Sequence, residues 1–180
     1  MVWSSKIGKK REVEKLLDTY RWRGDETVLD VGPGRGLLLI SAAKRLTTGK
    51  AIGVDIWQSE DQSGNRPENT WRNARAEGVT DRIELKDGDA RKLPFENGSF
   101  DVVVSSLTLH NIYNPEERAT AVREIDRVLK PGGRAVILDF QHTDQYEQVL
   151  REAGWRDVQR TGPHLSMFPP VRWVIGTKPE

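Results

Sequence analysis

Five short stretches hold the residues able to do chemistry. The first is Asp30-Val31-Gly32-Pro33-Gly34-Arg35-Gly36. Glycines at alternate positions let a chain turn sharply and approach a ligand without a Cβ in the way. Where such a turn opens a helix, the free N–H groups suit an anionic or carboxylate group. The second is Asp55-Ile56-Trp57, an acid that can accept two hydroxyls, followed by two apolar residues. The third is Asp87-Gly88-Asp89-Ala90, two acids about a glycine, for which a solvated turn is the plain reading. The fourth is Ser105-Ser106-Leu107-Thr108-Leu109-His110-Asn111-Ile112-Tyr113, and the fifth Asp139-Phe140-Gln141-His142. Histidine titrates near neutral pH, so His110 and His142 are candidate general bases. His110 can equally hydrogen-bond a helix end, and His142 can open a helix.

These stretches follow apolar runs that read as strands: Thr27 to Val31, Lys50 to Val54, Arg82 to Lys86, Phe100 to Val104 and Arg134 to Asp139. The fourth is apolar throughout most of its length, as expected of a strand buried on both faces. Between them lie helical patterns at Glu12 to Trp22, Arg35 to Leu46, Pro67 to Glu77, Pro115 to Leu129 and Thr143 to Ala153. Glycine or proline punctuates several of their ends. Trp57 to Arg66 reads as a loop. Trp155 to Arg160 and Val171 to Gly176 are two last strands with no helix between them, which suits an antiparallel pair. The alternation predicts an α/β fold: a Rossmann-like, seven-stranded, mostly parallel sheet with an antiparallel C-terminal edge and helices on both faces.

The chain has 180 residues, about one domain, with residues 1–24 as an N-terminal helical cover and 25–180 as the core. Trp3, Tyr20 and Trp22 make that cover a candidate lid. Lys plus Arg is 28 against 27 for Asp plus Glu, so no excess positive charge points to a nucleic acid or an anionic membrane. With no cysteine, disulfides, thiolate metal sites and cysteine nucleophiles are excluded. Neither a secretory signal nor an apolar run long enough to span a membrane is found, so the cytoplasm is the expected compartment.

Glycine spacing separates two ligand classes. A dinucleotide site needs G-x-G-x-x-G, with its third glycine at position 37, and Leu37 stands there. The pattern G-x-G-x-G after Asp30 instead resembles the first motif of the class I S-adenosylmethionine-dependent methyltransferases. The likeness extends over residues 27 to 140. It takes in Gly53-Val54-Asp55-Ile56, Asp87-Gly88-Asp89-Ala90, the segment Leu93-Pro94-Phe95 to Ser106, and Arg127-Val128-Leu129-Lys130-Pro131-Gly132-Gly133. Its general form is most similar to the ubiquinone- and menaquinone-biosynthesis type.

The resemblance implies S-adenosylmethionine as cofactor and S-adenosylhomocysteine as product. Asp30, Gly32, Pro33, Gly34, Gly36, Asp55, Ile56, Asp89, Ala90, Ser105 and Ser106 would bind it. His110, Tyr113 and His142 are the catalytic candidates, and Trp57, Asn111 and Asp139 the acceptor-binding ones. The loop with Asp61 and Gln62 would fold over the cofactor. Transfer by in-line displacement needs positioning more than covalent help, and no metal. A small-molecule acceptor is the leading expectation. A protein or RNA acceptor, or a non-catalytic cofactor-binding subunit, are the alternatives. A homodimer would be one way to close so short a pocket.

Overall fold

The apolar runs Val28-Leu29, Ala51-Ile52 and Val102-Val103-Val104 alternate between two cores. Leu29, Val31, Ile52, Val54, Val103 and Ile137 point to one, Val28, Ala51, Val102, Val104, Val136 and Leu138 to the other. A sheet buried on both faces must be covered on both, and this chain supplies helices to each. In the computed structural model, residues 2–57 and 66–180 are described, with side chains from residue 8 onward.

The elements run α1 (Val2–Leu17), β1 (Thr27–Val31), α2 (Leu37–Ala43), β2 (Lys50–Asp55), α3 (Pro67–Ala76), β3 (Ile83–Asp87), β4 (Phe100–Ser106), α4 (Pro115–Val128), β5 (Leu129–Asp139), α5 (Thr143–Glu152), β6 (Gln159–His164) and β7 (Val171–Thr177). The seven strands lie in the order β3-β2-β1-β4-β5-β7-β6. The first five are parallel, and β7 is antiparallel to both β5 and β6. The fold is thus Rossmann-like with an antiparallel C-terminal edge. Val13, Leu16 and Leu17 of α1 join α2 and Ala74 of α3 on one face, while α4 and α5 cover the other.

Local chemistry sets the helix ends that matter for the site. At the start of α4, Asn114 Oδ1 accepts from the amides of Glu116 and Glu117 at 2.8 and 3.3 Å, with Pro115 next in line. This cap aims the preceding residues, 109–113, across the sheet edge.

Several boundaries differ from those read in the sequence. The first helix starts near the N-terminus and stops at Leu17, not Trp22. Trp22 Nε1 and Thr19 Oγ1 donate to the Leu17 and Leu16 carbonyls and close its end. The helix lies along α2 and the sheet, and none of its described residues lines the cavity discussed below; the side chain of Trp3 lies outside those described. The sixth strand is Gln159–His164, not Trp155–Arg160. Trp155 is buried, with its Nε1 donating to Asp126 Oδ1 at 2.8 Å. Pro163 is tolerated in β6 because that strand is the sheet edge. The Lys130-Pro131-Gly132-Gly133 turn bulges out of the ladder: Leu129 pairs with Phe100 and Arg134 with Val102.

Trp155 joins α4, α5 and β7 in one core. Trp155→Ala should cost about 3–5 kcal/mol in denaturant unfolding. A loss below about 1 kcal/mol would show that the helix layer does not depend on it.

Candidate active site

β1 pairs with β2 on one side and β4 on the other, so its end at Val31 is the centre of the sheet's carboxyl edge. There the chain turns through Gly32, Gly34 and Gly36 with φ of +74°, +54° and +84°. At Gly32 two constraints coincide: the left-handed backbone and a Cβ that would fall 2.1 Å from Thr108 Cγ2. The turn is pinned from three elements. Gly32 N donates to Val54 O at 2.9 Å. Thr108 Oγ1 donates to Gly32 O at 3.0 Å, and Thr70 Oγ1 to Gly34 O at 2.6 Å. Asp55, at the end of β2, accepts from Trp57 N at 3.0 Å and, more weakly, from Gly34 N at 3.4 Å.

The turn forms one wall of a cavity of about 540 Å³. It is lined by Val31, Gly32, Gly34, Val54, Asp55 and Ile56, and by Gly88, Asp89 and Ala90. Leu107, Thr108, Asn111, Ile112, Tyr113 and Asn114 also line it, Thr108 lying against Gly32. A strap crosses the rim. Arg91 donates through its backbone and guanidinium to Asp89 and reaches Glu117 Oε2 at 2.5 Å. Its hydrogen bonds hold the Asp89 carboxyl below the usual carboxylate range.

The structure therefore brings Gly32, Gly34, Asp55, Ile56, Asp89, Ala90, Asn111 and Tyr113 together. The other candidates lie off the lining. Asp30 is buried behind the turn on the α2 side, and neither carboxyl oxygen has a well-formed hydrogen bond among the described residues. Burial, and then the charge of Asp55, push its pKa well up, while the nearby Leu39 amide opposes this from outside good hydrogen-bond geometry. Pro33 packs toward Gly53, and Gly36 is the cap of α2. Ser105 is buried with its hydroxyl donating to Val31 O at 2.9 Å, and Ser106 O accepts from Thr108. Trp57 is half-buried at φ +53°, and Asp61 and Gln62 lie outside the described residues.

His110 and Asp139, expected at the acceptor, form a unit beside it. Asp139 is fully buried, which corrects the expectation that it meets an acceptor directly. It accepts from Phe140 N at 2.8 Å, His110 N at 3.2 Å and Tyr146 Oη at 3.1 Å. His110 Nδ1 is 2.8 Å from Asp139 Oδ1. The ring N–H axis misses that oxygen, so the contact is electrostatic more than a well-formed hydrogen bond. The His110 side chain is 16% exposed and packs against Phe140, ring centres 4.4 Å apart. Tyr146, a residue that sequence reasoning missed, has its pKa raised by burial and then by Asp139. Its place in an amphipathic helix reads as core, so no local signal sets it apart. His142 is exposed at φ +56° and its carbonyl accepts from Tyr146 N, making it the first residue of the α5 turn. Among the described residues three non-glycines, Trp57, Leu107 and His142, are left-handed, and each follows a strand end at this edge. Strained backbone of this kind gathers at functional sites.

Residues 29–137 match the family model described as a methyltransferase domain. Over 127 residues the chain is 33% identical to the ubiquinone/menaquinone biosynthesis C-methyltransferase UbiE of Roseobacter denitrificans, covering 71% of this chain and 47% of that one. The chain spans about half the length of the curated relatives it matches. Among solved structures it resembles a SAM dependent methyltransferase from Aquifex aeolicus, with a TM-score of 0.72 at 20% identity over 92% of this chain and 89% of that one. It also resembles the [4+2]-cyclase SpnF, with a TM-score of 0.76 at 19% identity over 94% and 80%. At such identities the structural likenesses establish the fold alone. Motif order, sheet order and the family match converge: this chain belongs to the methyltransferase-domain family, in the class I, S-adenosylmethionine-dependent superfamily.

Proposed function

We propose that the chain transfers a methyl group from S-adenosylmethionine to a small-molecule acceptor, at carbon as the names of its relatives suggest. The observation that carries this reading is the crowded Gly32–Gly36 turn and Asp55 side by side on the lining of one cavity. The residues present fit the cofactor. The turn offers backbone, free of side chains, to its amino-acid end. Asp55 accepts the ribose hydroxyls, and Ile56 and Ala90 flank the adenine. Asp89 accepts the base's amino group by sharing its oxygens with Arg91. Asp30, buried behind the turn and off the cavity lining, acts on the ligand's ammonium through its field across the turn and not by contact. When bound, the cofactor supplies an electrophilic methyl group.

The chain's own work is to position and to exclude water. Asn111 and Tyr113 orient the acceptor in the cavity. His110 takes a proton where the acceptor must lose one, at Nε2, since Nδ1 faces Asp139. Asp139 and Tyr146 act as positioning residues for that ring. His142 keeps a catalytic role only if the α5 turn moves toward the cavity. A near-neutral chain disfavours a nucleic-acid acceptor.

Calorimetry with S-adenosylmethionine, S-adenosylhomocysteine and NAD should show binding of the first two, and preference for NAD would overturn the reading. Asp55→Ala should weaken that binding by about tenfold or more, the worth of hydrogen bonds to a charged group. His110→Ala should lower turnover of a labelled methyl group while leaving cofactor affinity nearly intact; an unchanged rate removes it from the mechanism.

Asp30 gives a pH test. Its carboxyl takes up a proton more readily folded than unfolded, so its contribution to stability is complete below the ordinary carboxylate range. That contribution is lost as pH rises through the elevated folded value. Asp30→Asn should therefore melt higher than the parent at about pH 7, with the difference vanishing below about pH 4, and should bind S-adenosylmethionine more weakly. A pH-independent difference would show that Asp30 is not a strained acid.

A further inference from the structure

Buried apolar surface is what holds this chain together, so the large apolar side chains left in solvent are informative. Among the described residues they are Leu37, Ile56, Tyr113, Leu165 and Phe168. Leu37, Ile56 and Tyr113 follow β1, β2 and β4, at the carboxyl edge of the sheet. Leu165 and Phe168 sit in the turn from β6 to β7. That turn is at the same edge, because Arg172 at the start of β7 pairs with Asp139 at the end of β5. The turn does not simply fail to pack. Met167 is buried between the two, while Leu165 is 79% and Phe168 93% exposed.

A basic element is fastened to this turn. In α1, a Cβ at Gly8 would fall 2.1 Å from the Ser166 carbonyl oxygen, so helix and turn are in backbone contact. Glu12, one helical turn on, is buried; it accepts a hydrogen bond from Ser166 Oγ and lies 3.3 Å from His164 Nδ1. The stretch between them, Lys9-Lys10-Arg11, is exposed. The sequence hides this arrangement, because its overall charge is nearly balanced and residues 9–11 are more than 150 positions from residues 165–168.

We propose that the carboxyl edge of the sheet docks on an anionic lipid surface. Leu165 and Phe168 enter the headgroup region, and Lys9, Lys10 and Arg11 meet the phosphates. Apolar tips beside fixed positive charge suit such a surface better than an apolar partner protein, which would leave Lys9 and Arg11 unanswered, Lys10 already acting on Glu77 at the end of α3. Docking in this pose turns the cavity mouth, with Ile56 and Tyr113 on its rim, toward the bilayer. The inference stands apart from the methyl-transfer reading, since it concerns where the chain sits.

The test is co-sedimentation of the full chain with phosphatidylglycerol–phosphatidylcholine vesicles and with phosphatidylcholine vesicles. The chain should pellet with the first and stay in solution with the second, and binding should weaken as salt is raised. L165S/F168S should bind about tenfold or more weakly with an unchanged melting temperature, both positions being exposed. K9A/K10A/R11A should lose most of the preference for anionic vesicles. No pelleting of the parent chain, or variants that bind like it, would overturn the proposal. So would light scattering that shows a dimer split by L165S/F168S, which would make this surface an interface between two copies.

Discussion

The whole carboxyl edge depends on a stretch of backbone that has no room for side chains. At Gly32 a Cβ would collide with Thr108, from the segment after β4. The same turn is held by Val54 at the end of β2 and by Thr70 in α3. The turn therefore acts as a joint: it ties three strand ends and a helix into one wall. A ligand gripped there is aligned with Asp55 on one side and with the residues 109–113 on the other. Rigid placement of this sort is what a displacement reaction asks of a protein.

Around that joint, two buried acids play opposite parts. Asp139 is satisfied by Phe140, His110 and Tyr146, so its charge is spread over donors fixed by α5 and by the turn after β4. Its effect is to hold a histidine. Asp30 has no such donors and carries an elevated pKa. A buried carboxyl left without partners costs stability. The contrast comes from the side of the sheet each acid faces, since Asp30 points under α2 and Asp139 between the turn after β4 and α5.

Much of this was legible in the residues because strand burial and glycine turns are local signals. Val102-Val103-Val104 and Val28-Leu29 read as strands covered on both faces, and the α/β fold with its antiparallel edge follows from their order. The spacing at Gly32, Gly34 and Gly36 separated the ligand class by the single residue Leu37. What was not legible depends on side-chain contacts that no periodic pattern announces. The end of α1 is set by Trp22 reaching back to Leu17, and β6 is a polar edge strand whose anchors, Trp155 and Val158, lie before it. Asp139 looks like any acid at a strand end until Tyr146 is packed against it. Likewise Ser105 and Asp30 carry the motif's chemistry by type yet face away from the cavity, because the strand period assigns them to other sides.

The central claim is that the Gly32–Gly36 turn and Asp55 grip one nucleotide between them. A crystal structure of the chain with S-adenosylhomocysteine tests it most directly. The account predicts the amino-acid end of the ligand against the turn, its ribose hydroxyls on Asp55 and its adenine between Ile56 and Ala90. An empty cavity at saturating ligand, or a nucleotide held elsewhere without Asp55, would contradict it.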